Sequence, residues 1–194
     1  MEYSKIDKLG VNPSLLGFGC MRFPKKEDGT IDEVEAERML DHAIESGVTY
    51  IDTAYPYHDG ESEPFVGRVL KKYKREDFYL ATKLPMFKID SLEQAKEIFE
   101  EQIKRLDVDY VDFYLLHALN KDTWKKVIDL NIIPYCEELK KQGRIKNFGF
   151  SFHDDYEVFE EIINYRDWDF CQIQLNYIDT DIQAGMKGYK LTEE

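Results

Sequence analysis

Nowhere along its 194 residues does the chain hold an apolar run near the ~18 residues that a membrane helix requires, so no membrane-spanning helix is expected. The first ten residues mix Glu2, Lys5, Asp7 and Lys8 and form no secretory apolar core. Basic side chains are scarce as well. Only 26 Lys and Arg stand against 39 Asp and Glu, a net charge of −13. Gripping a phosphate backbone or an anionic membrane surface needs the opposite balance, so neither nucleic acid nor membrane is expected as a partner. The three cysteines, Cys20, Cys136 and Cys171, are odd in number and widely scattered. They make a poor disulfide framework and a poor metal knuckle, and they suit a reducing cytoplasm. Low-complexity tracts and Pro/Gly/Ser linkers are missing too, so residues 1–194 read as a single globular domain.

What the chain does hold is an alternation of short apolar segments with amphipathic stretches. Segments 48–52 and 78–83 are compact β-branched and aromatic runs; 111–117, 145–151 and 170–174 repeat the pattern, and 15–18 begins it. Between them, apolar residues recur at helical spacing. Ala36, Met39, Leu40, Ala43 and Ile44 mark a first helix, opened by the capping box Thr30-Ile31-Asp32-Glu33 and closed by Gly47. Phe65, Val66, Val69, Leu70 and Tyr73 mark a second. Leu92, Ala95, Ile98, Phe99, Ile103 and Leu106 mark a third, opened by Ser91. Segment 124–142 reads as one helix interrupted by Pro134 and ended by Gly143, and Tyr156, Phe159, Ile162 and Ile163 mark a shorter one. A last helix is barely begun over 183–194.

Strands separated by helices imply right-handed crossovers and a mostly parallel sheet, either open and doubly wound or closed as a barrel. The polar residues decide between them. Asp52, Lys83, His117 and Ser151 each end a predicted strand, at spacings of 31, 34 and 34 residues. In a barrel all strand ends open on one mouth, so residues from four consecutive strands converge there; in an open sheet only those beside the switch point do. The fold class is therefore α/β, a parallel (β/α)8 barrel. Six strand-helix units are present, whereas a complete barrel of this type takes about 250 residues, so the chain is expected to be cut short. The open edges of its first and sixth strands would then invite self-association.

The strand-end residues also suggest chemistry. Lys83 and Asp52 in an apolar mouth are costly unless paired, and each is the other's obvious partner. A tyrosine beside a lysine cation has its pKa lowered from about 10, and it can give a proton to a carbonyl oxygen as that oxygen gains charge. Tyr57 lies five residues beyond Asp52. His117, as a neutral imidazole, can orient the carbonyl. Carbonyl reduction also needs a hydride source that no side chain supplies, so a nicotinamide is implied. Each residue alone has a bland reading: a cap for the aspartate, a solvated charge for the lysine, packing for the tyrosine. Together, on consecutive strands, they outweigh it.

At these residues the chain resembles the aldo-keto reductases. Asp52-Thr53-Ala54 with Tyr57, then Ala81-Thr82-Lys83, then Asp109-Tyr110-Val111-Asp112 running into Leu115-Leu116-His117 match that family's signature in order and spacing. Leu15-Leu16-Gly17-Phe18-Gly19-Cys20-Met21-Arg22 looks like its first strand and following loop, and residues 1–13 resemble the hairpin that caps the bottom of its barrel. The resemblance implies Tyr57 as general acid, Lys83 lowering its pKa, Asp52 holding Lys83, and His117 orienting a small carbonyl substrate. It implies cofactor contacts at Gly19, Met21, Arg22, Asp52, Ser151 and Gln172, with NADPH the family's usual choice and NADH open. The loops that bind the adenosine phosphate end follow strands seven and eight of the family and are not in this sequence. Gly17-Phe18-Gly19 is not a dinucleotide fingerprint, lacking the third glycine.

Two departures stand out. The family usually has asparagine after the serine, where this chain reads Ser151-Phe152-His153, so either His153 replaces the missing amide or the cofactor is held differently. His58 stands where glycine commonly follows the tyrosine. Both resemble a branch whose members often carry a C-terminal iron-sulfur segment; none is in this sequence, and no metal is expected. Two other readings remain. A metal-dependent hydrolase could use Asp52, His58, His117 and His153, although Lys83 is an unwelcome neighbour for a divalent ion. A catalytically silent cofactor-binding subunit would use the same pocket residues. Trp124 and Trp168 read as packing or rim residues, Cys20 as a small buried hydrophobe, and the acidic runs 61–63 and 157–161 as helix starts and solvated faces.

Overall fold

A computed structural model describes residues 1–193. Six parallel strands follow in chain order across one sheet: β1 (Gly17–Gly19), β2 (Tyr50–Asp52), β3 (Tyr79–Leu84), β4 (Val111–Leu119), β5 (Ile145–Phe152) and β6 (Phe170–Gln172). The sheet curls into an incomplete (β/α)8 barrel. Helices α1 (Glu33–Glu45), α2 (Ser62–Leu70), α3 (Leu92–Leu106), α4 (Lys121–Asp129), α5 (Ile132–Lys141) and α6 (Tyr156–Tyr165) lie between strands, and α7 (Gly185–Leu191) follows β6.

The middle strands β2 to β5 are mostly buried, their outer face covered by helices and their inner face by the curl itself, whereas β1 and β6 are partly exposed. Alternation sorts their side chains. Tyr114 and Leu116 point outward into the large core that joins sheet to helices. Ala81, Phe113 and Leu115 point inward, where Tyr50, Tyr79 and Phe170 pack on them. Residues 2–15 double back through antiparallel bridges Tyr3↔Ser14 and Ile6↔Val11, and Leu9 and Val11 rest on this inner cluster at the strands' N-terminal end. Lys83 and His117 share the inward parity at the opposite end, which makes that end the polar one.

Several local expectations change. The cap of α1 is Asp32, whose side chain accepts from Glu35 N at 3.3 Å, while Thr30 is engaged by Asp28. The predicted helix 124–142 is two helices, broken not at Pro134 but at Asn131, whose φ of 54° is left-handed. Pro134 falls in the first turn of α5, where its missing N–H has no intrahelical partner to lose. The first strand starts at Gly17, leaving Leu15 and Leu16 exposed. β1 and β6 pair with one neighbour each among the described residues.

Candidate active site

The ends of β2 to β6 bring the polar residues together. Beyond β2 the chain runs through Thr53 to Pro56 into a single helical turn, Tyr57–Gly60, in which His58 (φ 52°) and Asp59 (φ 55°) are left-handed. This tight reversal returns Tyr57 over the strand ends. Lys83 enters from β3, fully enclosed. Its Nζ donates to Asp52 Oδ1 at 2.5 Å, to the Thr53 carbonyl at 2.8 Å and to Tyr57 Oη at 3.2 Å. An ammonium has three protons and no acceptor, so these contacts use it completely. Because Tyr57 Oη accepts from Lys83 and donates to no group among the described residues, its own proton is left for the cavity.

The electrostatics correct one expectation. Tyr57's phenol lies above its ordinary value, not below it. Burial is the main cause; Lys83 pulls the other way, and Asp52 opposes Lys83. The ammonium is neutralised by the carboxylate 2.5 Å from it, so the phenol meets a compact ion pair in place of a free cation. Burial likewise pushes Asp52 up, with Lys83 drawing it back.

His117, on β4, packs edge-on to Tyr57 with ring centres 5.7 Å apart, and Phe87 flanks its other side at 5.6 Å. Burial, helped by Lys83 and His153, depresses its pKa to about 3, so the ring is neutral. Its Nδ1 is buried without a hydrogen-bond partner. The tautomer protonated at Nε2 leaves only a lone pair unmet there and keeps one N–H for a ligand. Just beyond it, Ala118 is left-handed (φ 54°) where the β4–β5 register shifts, and its N–H donates to Ser151 Oγ at 2.8 Å. Ser151 thereby keeps its own hydroxyl proton to give.

Tyr57, Lys83, His117, Ser151, His153 and Gln172 line one cavity of about 180 Å³, together with Ile173 and Gln174. Asp52 lies beneath Lys83. Gly19, Met21 and Arg22 do not line it: Gly19 pairs with Asp52 in the sheet, and Met21 and Arg22 are exposed on the single turn that follows β1. His58 is turned away, its Nε2 accepting from Phe23 N at 3.1 Å and its ring stacked near Phe23. That removes one ligand of the metal-hydrolase reading, and no three His, Cys, Asp or Glu side chains gather to hold a metal among the described residues. Trp124 packs on Tyr165 and Trp168 and donates to Glu161 at 2.9 Å, outside this cavity. Cys20 is fully buried.

The acidic run at the start of α2 is not a solvated face throughout. Glu63 is not solvated but fully buried, hydrogen-bonded to Thr82 and Gln102. The signal was there: Gln102 interrupts the buried stripe Ala95, Phe99, Gln102, Leu106 of α3, and an amide in such a stripe needs a buried partner.

Residues 15–189 match the model of the Aldo/keto reductase family. The chain is 34% identical over 125 residues to aldo-keto reductase YhdN of Bacillus subtilis, covering 60% of this chain and 38% of that one. Among solved structures, the holo form of aldo-keto reductase AKR11C1 from Bacillus halodurans superposes with a TM-score of 0.73 at 32% identity, covering 90% of this chain and 57% of that one. The thermostable aldo-keto reductase Tm1743, solved with the inhibitor epalrestat, gives a TM-score of 0.75 at 29% identity, covering 93% and 65%. The chain spans under half the length of the curated relatives it matches, 44%, 38% and 49% for three of them.

Proposed function

Because the chain belongs to the aldo/keto reductase family, as the match over residues 15–189 establishes, we propose that it reduces an aldehyde or ketone to an alcohol with a reduced nicotinamide cofactor, Tyr57 acting as proton donor. The observation that carries this reading is the accounting at Lys83. With all three ammonium protons engaged and one spent on Tyr57 Oη, the phenol's own proton is directed at the cavity.

The nicotinamide supplies the hydride that the carbonyl carbon accepts. NADPH is the family's usual choice, and NADH is the alternative. The residues present suit its carboxamide, which both donates and accepts. Ser151 has a proton to give, and the Gln172 amide has no side-chain partner among the described residues. As negative charge grows on the substrate oxygen, Tyr57 donates its proton to it. The phenolate left behind is held by Lys83, and Asp52 keeps that ammonium in place. Neutral His117 offers the second hydrogen bond and sets the carbonyl's direction.

The test is cofactor oxidation driven by a small reactive aldehyde, compared between the native protein and Tyr57→Phe. The variant should retain cofactor binding and lose at least about a hundredfold in kcat, the usual contribution of a positioned acid. Equal turnover in the variant overturns the assignment. Cofactor binding with no aldehyde-dependent oxidation in the native protein would instead support the silent binding subunit.

A further inference from the structure

Beneath the cavity lies a polar cluster that this chemistry does not use. Glu63 of α2 is fully buried, and its Oε1 accepts from Thr82 Oγ1 at 2.6 Å and from Gln102 Nε2 at 2.9 Å. Gln102 of α3, buried as completely, also donates to the Lys83 carbonyl at 3.0 Å and accepts from Tyr114 Oη at 2.8 Å. Arg105, one turn further along α3, lies 3.5 Å from Glu63 Oε2 and donates to the Tyr55 carbonyl at 3.4 Å. Its guanidinium sits 4.2 Å from the centre of the Tyr55 ring. A buried carboxylate and a buried amide are costly unless their polar atoms are met, and here α2, α3, β3 and β4 all contribute to meeting them.

The sheet explains why the cluster sits where it does. β2 and β3 pair as far as Asp52 opposite Ala81, and Thr53 N donates to the Ala81 carbonyl at 2.9 Å. Along a parallel ladder the next carbonyl on that edge belongs to the residue two further on, which is Lys83. β2 has ended by then, so this carbonyl faces no strand, and the Gln102 amide supplies the absent donor. Lys83 therefore stands where the ladder runs out and a side-chain network replaces it. The network's other arm, through Arg105, holds Tyr55 in the loop that carries Tyr57.

We infer that Glu63, Gln102 and Arg105 are positioning residues that clamp the end of β3 and the Tyr55–Tyr57 loop together, so that the Lys83 ammonium meets the Tyr57 oxygen. The inference rests on the reductase reading for its effect on turnover, but not for its effect on geometry. The experiment uses both readouts. Isotope labelling at the tyrosine ζ carbon gives an NMR resonance for Tyr57, assigned by its loss in Tyr57→Phe. Lys83→Met sets where that resonance lies without the lysine contact.

Gln102→Leu should move the resonance from the native position toward the Lys83→Met position. It should also lower kcat by roughly tenfold or more while KM stays within about twofold. Thr82→Val, nearly isosteric, should give a smaller shift in the same direction, and it decides the matter if Gln102→Leu does not fold. Glu63→Gln keeps an acceptor oxygen for Thr82 and Gln102 but turns an NH2 toward Arg105, so it should move the resonance and lower kcat less than Gln102→Leu does. A native resonance position in Thr82→Val and in folded Gln102→Leu overturns the inference, as does a Glu63→Gln variant as damaged as Gln102→Leu. If the resonance moves as stated while Tyr57→Phe turns over normally, the clamp stands and the reductase reading falls.

Discussion

His117 should make the fold sensitive to mild acid, and by a calculable amount. In the unfolded chain an imidazole titrates near pH 6.5. In the fold, burial, the Lys83 ammonium and His153 depress His117 to about 3. Between these values the unfolded chain binds one proton that the folded one does not, so stability rises with pH across that window and is lost as pH falls through it. The slope from this one group is about 1.4 kcal/mol per pH unit, giving about 3 kcal/mol between pH 6.5 and 4. His117→Asn removes the titration while keeping a polar side chain. Urea unfolding of both proteins, followed by circular dichroism at several pH values from about 7 to about 4, should show the native curve falling more steeply. The two should converge toward acid by about 3 kcal/mol, since carboxylates common to both cancel in the difference. Curves that stay parallel would mean that His117 takes up its proton inside the fold, and the neutral-donor assignment would go with it.

Lys83→Met leaves Asp52 buried without its partner and should cost about 3–5 kcal/mol in chemical denaturation, with much of the loss recovered when Asp52→Asn is added. Because burial holds Tyr57 above its ordinary value, the proposed carbonyl reduction should stay level toward alkaline pH until about pH 10, and an alkaline limb centred near neutrality would contradict that. At Gly149 an added Cβ would lie 2.3 Å from the Phe170 carbonyl oxygen, so Gly149→Ala must force β5 and β6 apart. It should lower stability by about 1–3 kcal/mol in the same unfolding assay.

What could be read in advance follows the economy of a buried parallel sheet. Strands covered on both faces must be apolar, so a charged or polar residue closing such a run is conspicuous, and Asp52, Lys83, His117 and Ser151 were found on that ground. Boundaries were less legible. Leu15 and Leu16 look like strand residues but face outward before β1, because apolar content does not say where ladder bonds begin. The break between α4 and α5 sits at Asn131, a residue able to adopt left-handed backbone, and the more obvious breaker, Pro134, is harmless in a first turn. Glu63 was hidden for a different reason. An acidic residue at a helix start has an ordinary explanation in the helix dipole, and only its long-range partner Gln102, 39 residues away, shows that it is buried.

The direction of the Tyr57 shift bears most on mechanism. A lysine beside a tyrosine suggests an acidified phenol, and that inference counts only two groups. It leaves out the charge of Asp52, 2.5 Å from the same ammonium, and burial, which is the largest single influence and raises the value. A phenol with a raised pKa is a weaker acid in the ground state, yet it stays protonated and its proton has one place to go. In the proposed role the advantage comes when the proton leaves: a phenolate forming beside Lys83 would gain an attraction that the neutral phenol lacks, in an environment that screens it poorly. The ion pair contributes to the charge-separated state more than to the resting one, which is the differential that a proton donor needs.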